Sequence, residues 1–428
     1  MASMARIASV AGAERAPDSA SDSYLRQGTR GFRRASAALV AGAFITYAVM
    51  YCTQPLLPAF THEFHISPAE ASLSISVTTG TLAICMLLAG SLSEAWGRKP
   101  VMTIALFATA LLAMLSAFAP TFSTLLVIRA VQGIVLAGVP AIAMAYLSEE
   151  VYAPSLGYAM GMMIGGNAIG GMTGRISIGI LTDISSWRIA LAVTGLIGFA
   201  SAVYFWRTLP PSRHFAARPL ALGALGRSLV SHLQDPGLRC LYGIGFLLMG
   251  SFVTLYNYIG FALMAPPYHL SQSAIGWIFA LYLVGTFAST WMGHLADRLG
   301  RRRVLWIGVG IMLVGALLTL AAPLVIKIFG LAVFTFGFFS AHSIASSWIG
   351  RRALHDKAQA SALYLFTYYV GGSIGGTVGG LFWAWGGWAS VIGMIVALVL
   401  LAAVLTVRLA AIHPLAGTAA ISRQLPIA

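Results

Sequence analysis

The sequence predicts an all-α polytopic membrane protein with twelve transmembrane helices in two pseudo-symmetric six-helix halves. Three observations carry this. Hydrophobic residues make up 58% of the 428 residues and charged residues only 9%, where soluble domains carry about 25% charged residues. The apolar residues fall in runs of about 20, the length at which a helix crosses a ~30 Å hydrocarbon core. The alternation and closely spaced turns of a barrel are absent. Finally, one charged motif occurs twice, as GSLSEAWGRK at 90–99 and GHLADRLGRR at 293–302, each time between two apolar runs.

Along the chain, residues 1–35 are rich in Ala, Ser and Arg, include Glu14, Asp18 and Asp22, and lack the apolar core of a signal peptide. They read as a disordered cytoplasmic tail. Spans are expected at 37–58, 71–93, 101–119, 123–147, 156–181 and 188–206, giving an N-terminal half over 36–206. The segment 207–239 holds Pro210, Pro211, Pro219 and Pro236 with Arg207, Arg213, Arg218, Arg227 and Arg239, and reads as a cytoplasmic linker. The C-terminal half covers 240–410, with spans at 240–263, 273–296, 303–322, 324–349, 358–384 and 388–410, followed by a cytoplasmic tail at 411–428.

With both termini cytoplasmic, nearly all of the 26 Lys and Arg residues fall on the cytoplasmic side; the exceptions are Arg129 and Arg175 inside spans, Arg188 at a span end and Lys327 near the outer face. The positive-inside rule therefore sets the orientation; the excess of Arg over Lys and the abundance of Ala hint at a bacterial source, hence an inner (plasma) membrane. Because the +14 net charge sits in short loops between spans, it reflects topology and not nucleic-acid binding. Cys52, Cys85 and Cys240 lie in or at spans without a CxxC pair, as free thiols, so neither a disulfide framework nor a metal site is expected.

The halves repeat elsewhere too. GGNAIGGMTGR at 165–175 matches VGGSIGGTVGG at 370–380, and Tyr51 and Tyr256 share the same offset of about 205 residues. Duplication on this scale is a mark of secondary transporters, whose substrate site lies near the midplane between the repeats.

Together these residues resemble the major facilitator superfamily over nearly all of 36–410. The signature G-x-L-[AS]-D-x-x-G-R-[KR] after the second span is met by Gly90, Leu92, Ser93, Glu94 (in place of Asp), Gly97, Arg98 and Lys99. Its second copy comprises Gly293, Leu295, Ala296, Asp297, Gly300, Arg301 and Arg302. RAVQG in the fourth span, with Arg129, Gln132 and Gly133, resembles the Arg-bearing motif of drug/proton antiporters. Gly157, Gly166, Gly170 and Gly174 resemble their glycine motif, with Gly171 at the usual Pro position and Arg175 at a usual Gly position. YAVMYCTQPLLPAF at 47–60 and LYNYIGFAL at 255–263 are most similar to the bacterial drug- and sugar-efflux branch.

Physically, Gly97 and Gly300 permit tight turns. Arg98 is expected to pair with Glu149 or Glu150, and Arg301 or Arg302 with Asp356. Such pairs contribute little when hydrated and more when desolvated, which suits gating latches that form when the cytoplasmic side closes; fixing topology is the plainer role. An intramembrane arginine is costly and ordinarily faces the bundle interior or a wet cavity. Arg129 is expected in the cavity, for substrate binding or coupling, against the alternative of a structural arginine held by backbone carbonyls and Gln132. Arg175 has a binding role or a salt bridge to Asp183. Tyr51, Gln54, Tyr256 and Asn257 on spans one and seven, with Asn167, Tyr368 and Tyr369 on spans five and eleven, suit an amphipathic ligand or interhelical hydrogen bonding. Gly157, Gly166, Gly170, Gly174, Gly371, Gly375 and Gly379 read as helix-packing glycines at which the halves slide.

No Asp or Glu falls in mid-span, and an arginine does not readily release a proton. His342, His294 and the loop acids are the remaining titratable candidates; proton coupling itself is what the resemblance implies. The expected function is secondary transport by alternating access, as a monomer without cofactor, exporting a small organic compound in exchange for protons. Proton-coupled uptake or organic-anion exchange is the alternative, and a non-transporting sensor a weaker one. An ATP-driven pump is excluded by the missing GxxxxGK[ST] and an intramembrane enzyme by the lack of a catalytic cluster.

Overall fold

The computed structural model describes residues 24–215 and 222–412. Glu14, Asp18, Asp22, Arg218, Pro219 and the tail beyond residue 412 lie outside the described residues.

The first span has two parts, α1 (Arg30–Met50) and α2 (Leu57–Phe64), joined by a 3-10 turn over Gln54–Leu56. Thr29 caps α1 by accepting from the Phe32 N–H, so the helix begins inside the region expected to be tail. Pro55 and Pro58 open the turn and α2, where a missing N–H costs nothing. The second span, α3 (Pro68–Trp96), begins with a Ser67/Glu70 capping box. Gly97, at φ 94°, separates it from the third, α4 (Arg98–Ser116). The fourth span is broken before Pro140 into α5 (Phe122–Leu136) and α6 (Pro140–Glu150), and α7 (Ala153–Ile184) and α8 (Trp187–Thr208) complete the first half.

The expected linker contains a helix of its own, α9 (Leu222–Gln234), and its last residues already belong to α10 (Pro236–Met264), which Asp235 caps. The eighth span is again split, into α11 (Gln272–Ile278) and α12 (Tyr282–Leu299) around a 3-10 turn. Gly300, at φ 83°, leads to α13 (Arg301–Leu318) and then α14 (Leu324–Arg352). The last helix, α15 (Lys357–Ala411), is non-helical at Gly386–Gly387 and so forms two spans.

Nine described helices are long and apolar enough to cross a membrane, with α15 counted once. Dividing α15 at its glycine break and adding glycine-rich α7 and α13, whose first turn is Arg301–Arg302–Arg303, gives twelve spans among the described residues.

Packing follows the duplication. α7 lies on α1, and α15 on α10, in equivalent positions of the two halves. The repeated glycines make these approaches: Gly166 faces Val40, Gly170 faces Phe44, Gly174 faces Ala48, Gly371 faces Phe246, Gly375 faces Gly250, and Gly379 faces Thr254 and Tyr258. They therefore pack spans within each half and are not a sliding surface between halves. Gly157 packs against nothing: a Cβ there would find no atom within 4 Å.

The halves meet through α3 on α15 and α7 on α11. Thr79 bonds Ser373 at 2.7 Å, Thr377 donates to Ser76 at 2.8 Å, and the Asp183 carboxylate accepts the N–H groups of Gln272 and Ser273 at the start of α11. Gly179 and Gly276 touch where α7 crosses α11. All of these contacts lie toward the end opposite Gly97 and Gly300. At the Gly97 end of α7, Gly157, Gly161 and Gly165 face open space. The bundle is closed at one face and parted at the face that carries the Gly-Arg loops.

Two substitutions on α7 separate packing from helix propensity. An alanine Cβ at Gly174 would lie 2.7 Å from the Ala48 Cα, and Gly174→Ala is expected to destabilise by about 1–3 kcal/mol through overpacking. Gly161→Ala meets nothing and should be neutral or stabilising by up to about 1 kcal/mol. Thermal unfolding of the two purified variants followed by size-exclusion chromatography checks the order.

Candidate functional site

Each Gly-Arg loop ends one helix and starts the next. In the first, Arg98 is 6% exposed and reaches back across the turn. Its Nη2 and Nε donate to the two Glu149 carboxylate oxygens at 2.6 and 3.2 Å, and its Nη1 donates to Ser93 Oγ at 2.5 Å and to the Gly90 carbonyl at 3.4 Å. Glu94 lies 4.0 Å from the same guanidinium. Lys99 donates to the Leu209 carbonyl. Glu149, on α6, is the partner within the half. Glu150 points elsewhere and accepts the backbone N–H groups of Arg213 and His214 at 2.6 and 2.8 Å. The Arg98–Glu149 pair is formed although this face of the bundle is parted, so it ties one half together and is not made by closure.

The second copy differs. Arg301 approaches only Asp297, at 3.5 Å on an exposed helix turn, and Arg302 donates to the Ile412 carbonyl. Asp356 accepts from Ser228 on α9 instead of from either arginine. The buried pair of this half is Arg352 with Asp235: Nε to Oδ1 at 2.6 Å and Nη2 to Oδ2 at 3.0 Å. Burial opposes ionisation of Asp235, but the hydrogen bonds and charge of Arg352, with the N–H groups of Leu238 and Gly237, outweigh it and hold the carboxyl below its ordinary range.

Between the halves lies a cavity of about 240 Å³. Of the side chains predicted from sequence it brings together Tyr51, Gln54, Asn167, Arg175, His342, Tyr368 and Tyr369, and it adds Tyr47, Tyr282, Phe252, Phe338 and Phe339. Tyr47 stands one turn before Tyr51 in α1, an i, i+4 pairing that the sequence did display. The break after α1 turns Tyr51 and Gln54 inward, toward α7.

Arg175 is the charged side chain of the lining. Its Nε donates to Gln54 Oε1 at 2.7 Å and its Nη1 to the Gly171 carbonyl at 2.5 Å, while Nη2 makes no hydrogen bond among the described residues. The guanidinium carbon lies 4.2 Å from the Tyr51 ring centre and 5.0 Å from those of Phe279 and Tyr282, a cation–π cage. It is not paired with Asp183, which is engaged at the start of α11. The amide of Asn167 and the hydroxyls of Tyr51, Tyr282 and Tyr368 likewise line the cavity, without hydrogen-bond partners among the described residues. On the opposite wall His342 Nδ1 bonds the Tyr364 hydroxyl at 2.9 Å, and its ring lies 4.6 Å from that of Tyr368. Tyr47 and Tyr369 meet hydroxyl to hydroxyl at 3.3 Å across the two halves.

Four expected cavity residues lie outside it. Arg129 is 1% exposed. It donates to the carbonyls of Ser74 (2.9 Å), Val49 (3.1 Å) and Met50 (2.6 Å) and to Gln132 Oε1 (2.5 Å). Gln132 in turn donates to the Thr109 carbonyl. These two form a structural knot among spans one to four, the alternative left open by the sequence. Tyr256 is buried with its hydroxyl on Thr335, and Asn257 accepts from Gln54 at 2.9 Å, one layer behind the lining. Among the described residues no group of three His, Cys, Asp or Glu side chains is placed to hold a metal.

The sequence matches the profile of the Major Facilitator Superfamily twice, over residues 39–266 and 241–424. It is 52% identical over 379 residues to the uncharacterized MFS-type transporter YybF of Bacillus subtilis, covering 89% of this chain and 94% of that one. It is 45% identical over 382 residues to the inner membrane transport protein YnfM of Escherichia coli, covering 89% and 91%. Among solved structures, a bacterial homolog of the human lysosomal transporter Spinster, in an inward-facing and occupied conformation, superposes with a TM-score of 0.73 at 15% identity, covering 90% of this chain and 98% of that one.

The two arginines should behave oppositely. Arg129→Ala leaves the Met50 carbonyl without a donor and removes three further buried hydrogen bonds, to Ser74, Val49 and Gln132, and is expected to cost about 3 kcal/mol or more of stability, seen as loss of monodisperse protein. Arg175→Ala, at a cavity wall, should keep the folded yield. For the Asp235–Arg352 pair, a depressed carboxyl pKa contributes stability that is present above the unfolded pKa and lost as pH falls through the folded one. Asp235→Asn should therefore lower stability at neutral pH and flatten its decline on acidification below about pH 4, as measured by thermal unfolding across pH.

Proposed function

Because the chain belongs to the Major Facilitator Superfamily, and so is a multi-pass membrane transporter without a cofactor and not an enzyme, we propose that it exports small organic anions by alternating access. The observation that carries this is Arg175: a cation with a free Nη2 in an aromatic cavity whose lining contains no carboxylate. A cavity of this kind fits a ligand with a carboxylate or similar head and a flat apolar body. The unpartnered phenols and the Asn167 amide supply further donors and acceptors around it.

Topology supports this direction. With the Lys/Arg-rich face cytoplasmic, in the plasma membrane and with both termini inside, the parted face opens to the cytoplasm, the state in which an exporter loads. An anion leaving an inside-negative cell gains about 2.3 kcal/mol per charge at 100 mV, so the potential favours this direction. Proton entry through His342, the titratable imidazole of the lining, is the coupling we assign, in a chain acting as a monomer. This agrees with the resemblance of 47–60 and 255–263 to the efflux branch. Organic-anion exchange is the second reading, favoured by the missing carboxylate: one arginine would hold either anion in turn.

In proteoliposomes, counterflow of an aromatic carboxylate should fall at least about tenfold in Arg175→Ala, the equivalent of one charge-assisted hydrogen bond, and return in part with Arg175→Lys. Equal transport of organic cations by wild type and Arg175→Ala, with no anion flux, would sink the proposal. His342→Gln should abolish the response to a pH gradient while sparing counterflow; a wild type driven only by anion on the opposite side would replace proton coupling with exchange.

A further inference from the structure

A second cavity, of about 540 Å³, opens at the Gly-Arg face where the starts of α1 and α4 meet the end of α8. Its wall carries five cations, Arg30, Arg34, Lys99, Arg207 and Arg213, and one carboxylate, Glu150. Glu150 does not neutralise them. It is 2% exposed, and its oxygens accept the N–H groups of Arg213 and His214 and bond His214 Nδ1 at 3.2 Å. Arg34 and Lys99 are turned onto the carbonyls of Arg207 and Leu209, which fixes their positions without cancelling their charge. Among the described residues, none of the five forms an ion pair. Five like charges gathered in one pocket repel one another unless an anion joins them.

The neighbouring cavity says what kind of anion. It shares Lys99 and Pro211 with the basic pocket. It runs outward between Trp96, Ile104 and Trp206, which are 68%, 63% and 52% exposed on the outer surface of the bundle. Tryptophan at this level marks the interface between headgroups and acyl chains. A basic pocket continuous with an apolar, lipid-facing groove matches a molecule with a phosphate at one end and a hydrocarbon chain at the other.

We propose that this pocket binds the phosphate headgroup of an anionic phospholipid, with an acyl chain along the Trp96–Ile104–Trp206 groove. The lipid bridges the segment before α1 and the segment after α8, and it is independent of the substrate cavity between the halves.

Native mass spectrometry of the detergent-purified chain with phosphatidylglycerol or chain-matched phosphatidylethanolamine tests this. The wild type should retain phosphatidylglycerol in preference. Each cation removed near a membrane surface is expected to weaken binding about fivefold. The triple variant Arg34→Ala, Lys99→Ala, Arg207→Ala should therefore lose phosphatidylglycerol affinity roughly 100-fold with phosphatidylethanolamine unchanged, whereas Arg351→Ala in the other half should change neither. Equal retention of phosphatidylglycerol by wild type and triple variant overturns the proposal. So does displacement of the lipid by millimolar glycerol 3-phosphate, which would assign the pocket to a soluble phosphate compound. Should the triple variant not fold, brominated lipids in nanodiscs decide on otherwise native protein. Quenching of tryptophan fluorescence should be stronger with brominated phosphatidylglycerol than with brominated phosphatidylethanolamine, and the difference should shrink in Trp206→Phe. Equal quenching by the two lipids overturns the proposal.

Discussion

In the interior of the first half, the Arg129 guanidinium satisfies carbonyls where the first span breaks. Gln54 N–H turns back to the Tyr51 carbonyl and Cys52 N–H to Val49, so the Met50 carbonyl loses its helical donor. Within a membrane an unsatisfied backbone group costs several kcal/mol, and irregular backbone survives only where it is buried in protein or lines a cavity. Arg129 Nη2 reaches Met50, Nη1 reaches Val49, and Nε fastens the same group to Ser74 on the second span. One buried cation thus holds together a helix end, its neighbour and, through Gln132, the third span.

The cavity is downstream of that knot. Because α1 stops at Met50, the next residues form a turn that directs Tyr51 and Gln54 toward α7 instead of continuing a helical face. Gln54 then orients Arg175 through Nε and contacts the other half through Asn257. The aromatic cage confines the guanidinium, and its free Nη2 is what the cavity offers a ligand. The two intramembrane arginines therefore have distinct parts: Arg129 supports the irregular backbone and Arg175 uses the space that backbone creates. Inter-half contacts at the closed face and open glycines at the other show that the halves are hinged apart around this layer, while the ion pairs Arg98–Glu149 and Arg352–Asp235 keep each half rigid at the parted end.

How far the sequence was legible differs between fold and site. Apolar run length and the repeated Gly-Arg motif were enough for the helical, duplicated architecture, because the membrane allows so few alternatives. Which pairs form was less legible. Loop positions narrowed the partner of Arg98 to Glu149 or Glu150, and packing selects Glu149, but the second half uses Asp235 and Arg352, which no motif marks, with one carboxylate serving as both helix cap and ion-pair partner. Arg129 and Arg175 looked alike as isolated charges in spans. Their difference lies in how many carbonyls each meets, and that depends on the break in α1 and on Gly171, whose carbonyl lies within reach of Arg175. Tyr282 was hidden among fifteen tyrosines until packing brought it to the cavity beside Tyr51, Tyr368 and Tyr369.

By itself the sequence determined the solvent this protein folds in, the number and order of its membrane spans, and the family to which it belongs. These are set by local quantities: hydropathy over about 20 residues, glycine where a turn requires positive φ, and proline where a donor must be absent. Only the tertiary structure decided which charge is structural and which faces the cavity, which face is parted, and which glycines pack within a half. Those outcomes depend on a few ångströms of approach between residues 80 to 322 positions apart, where hydrogen-bond satisfaction in a medium without water selects among partners that composition and spacing leave equivalent.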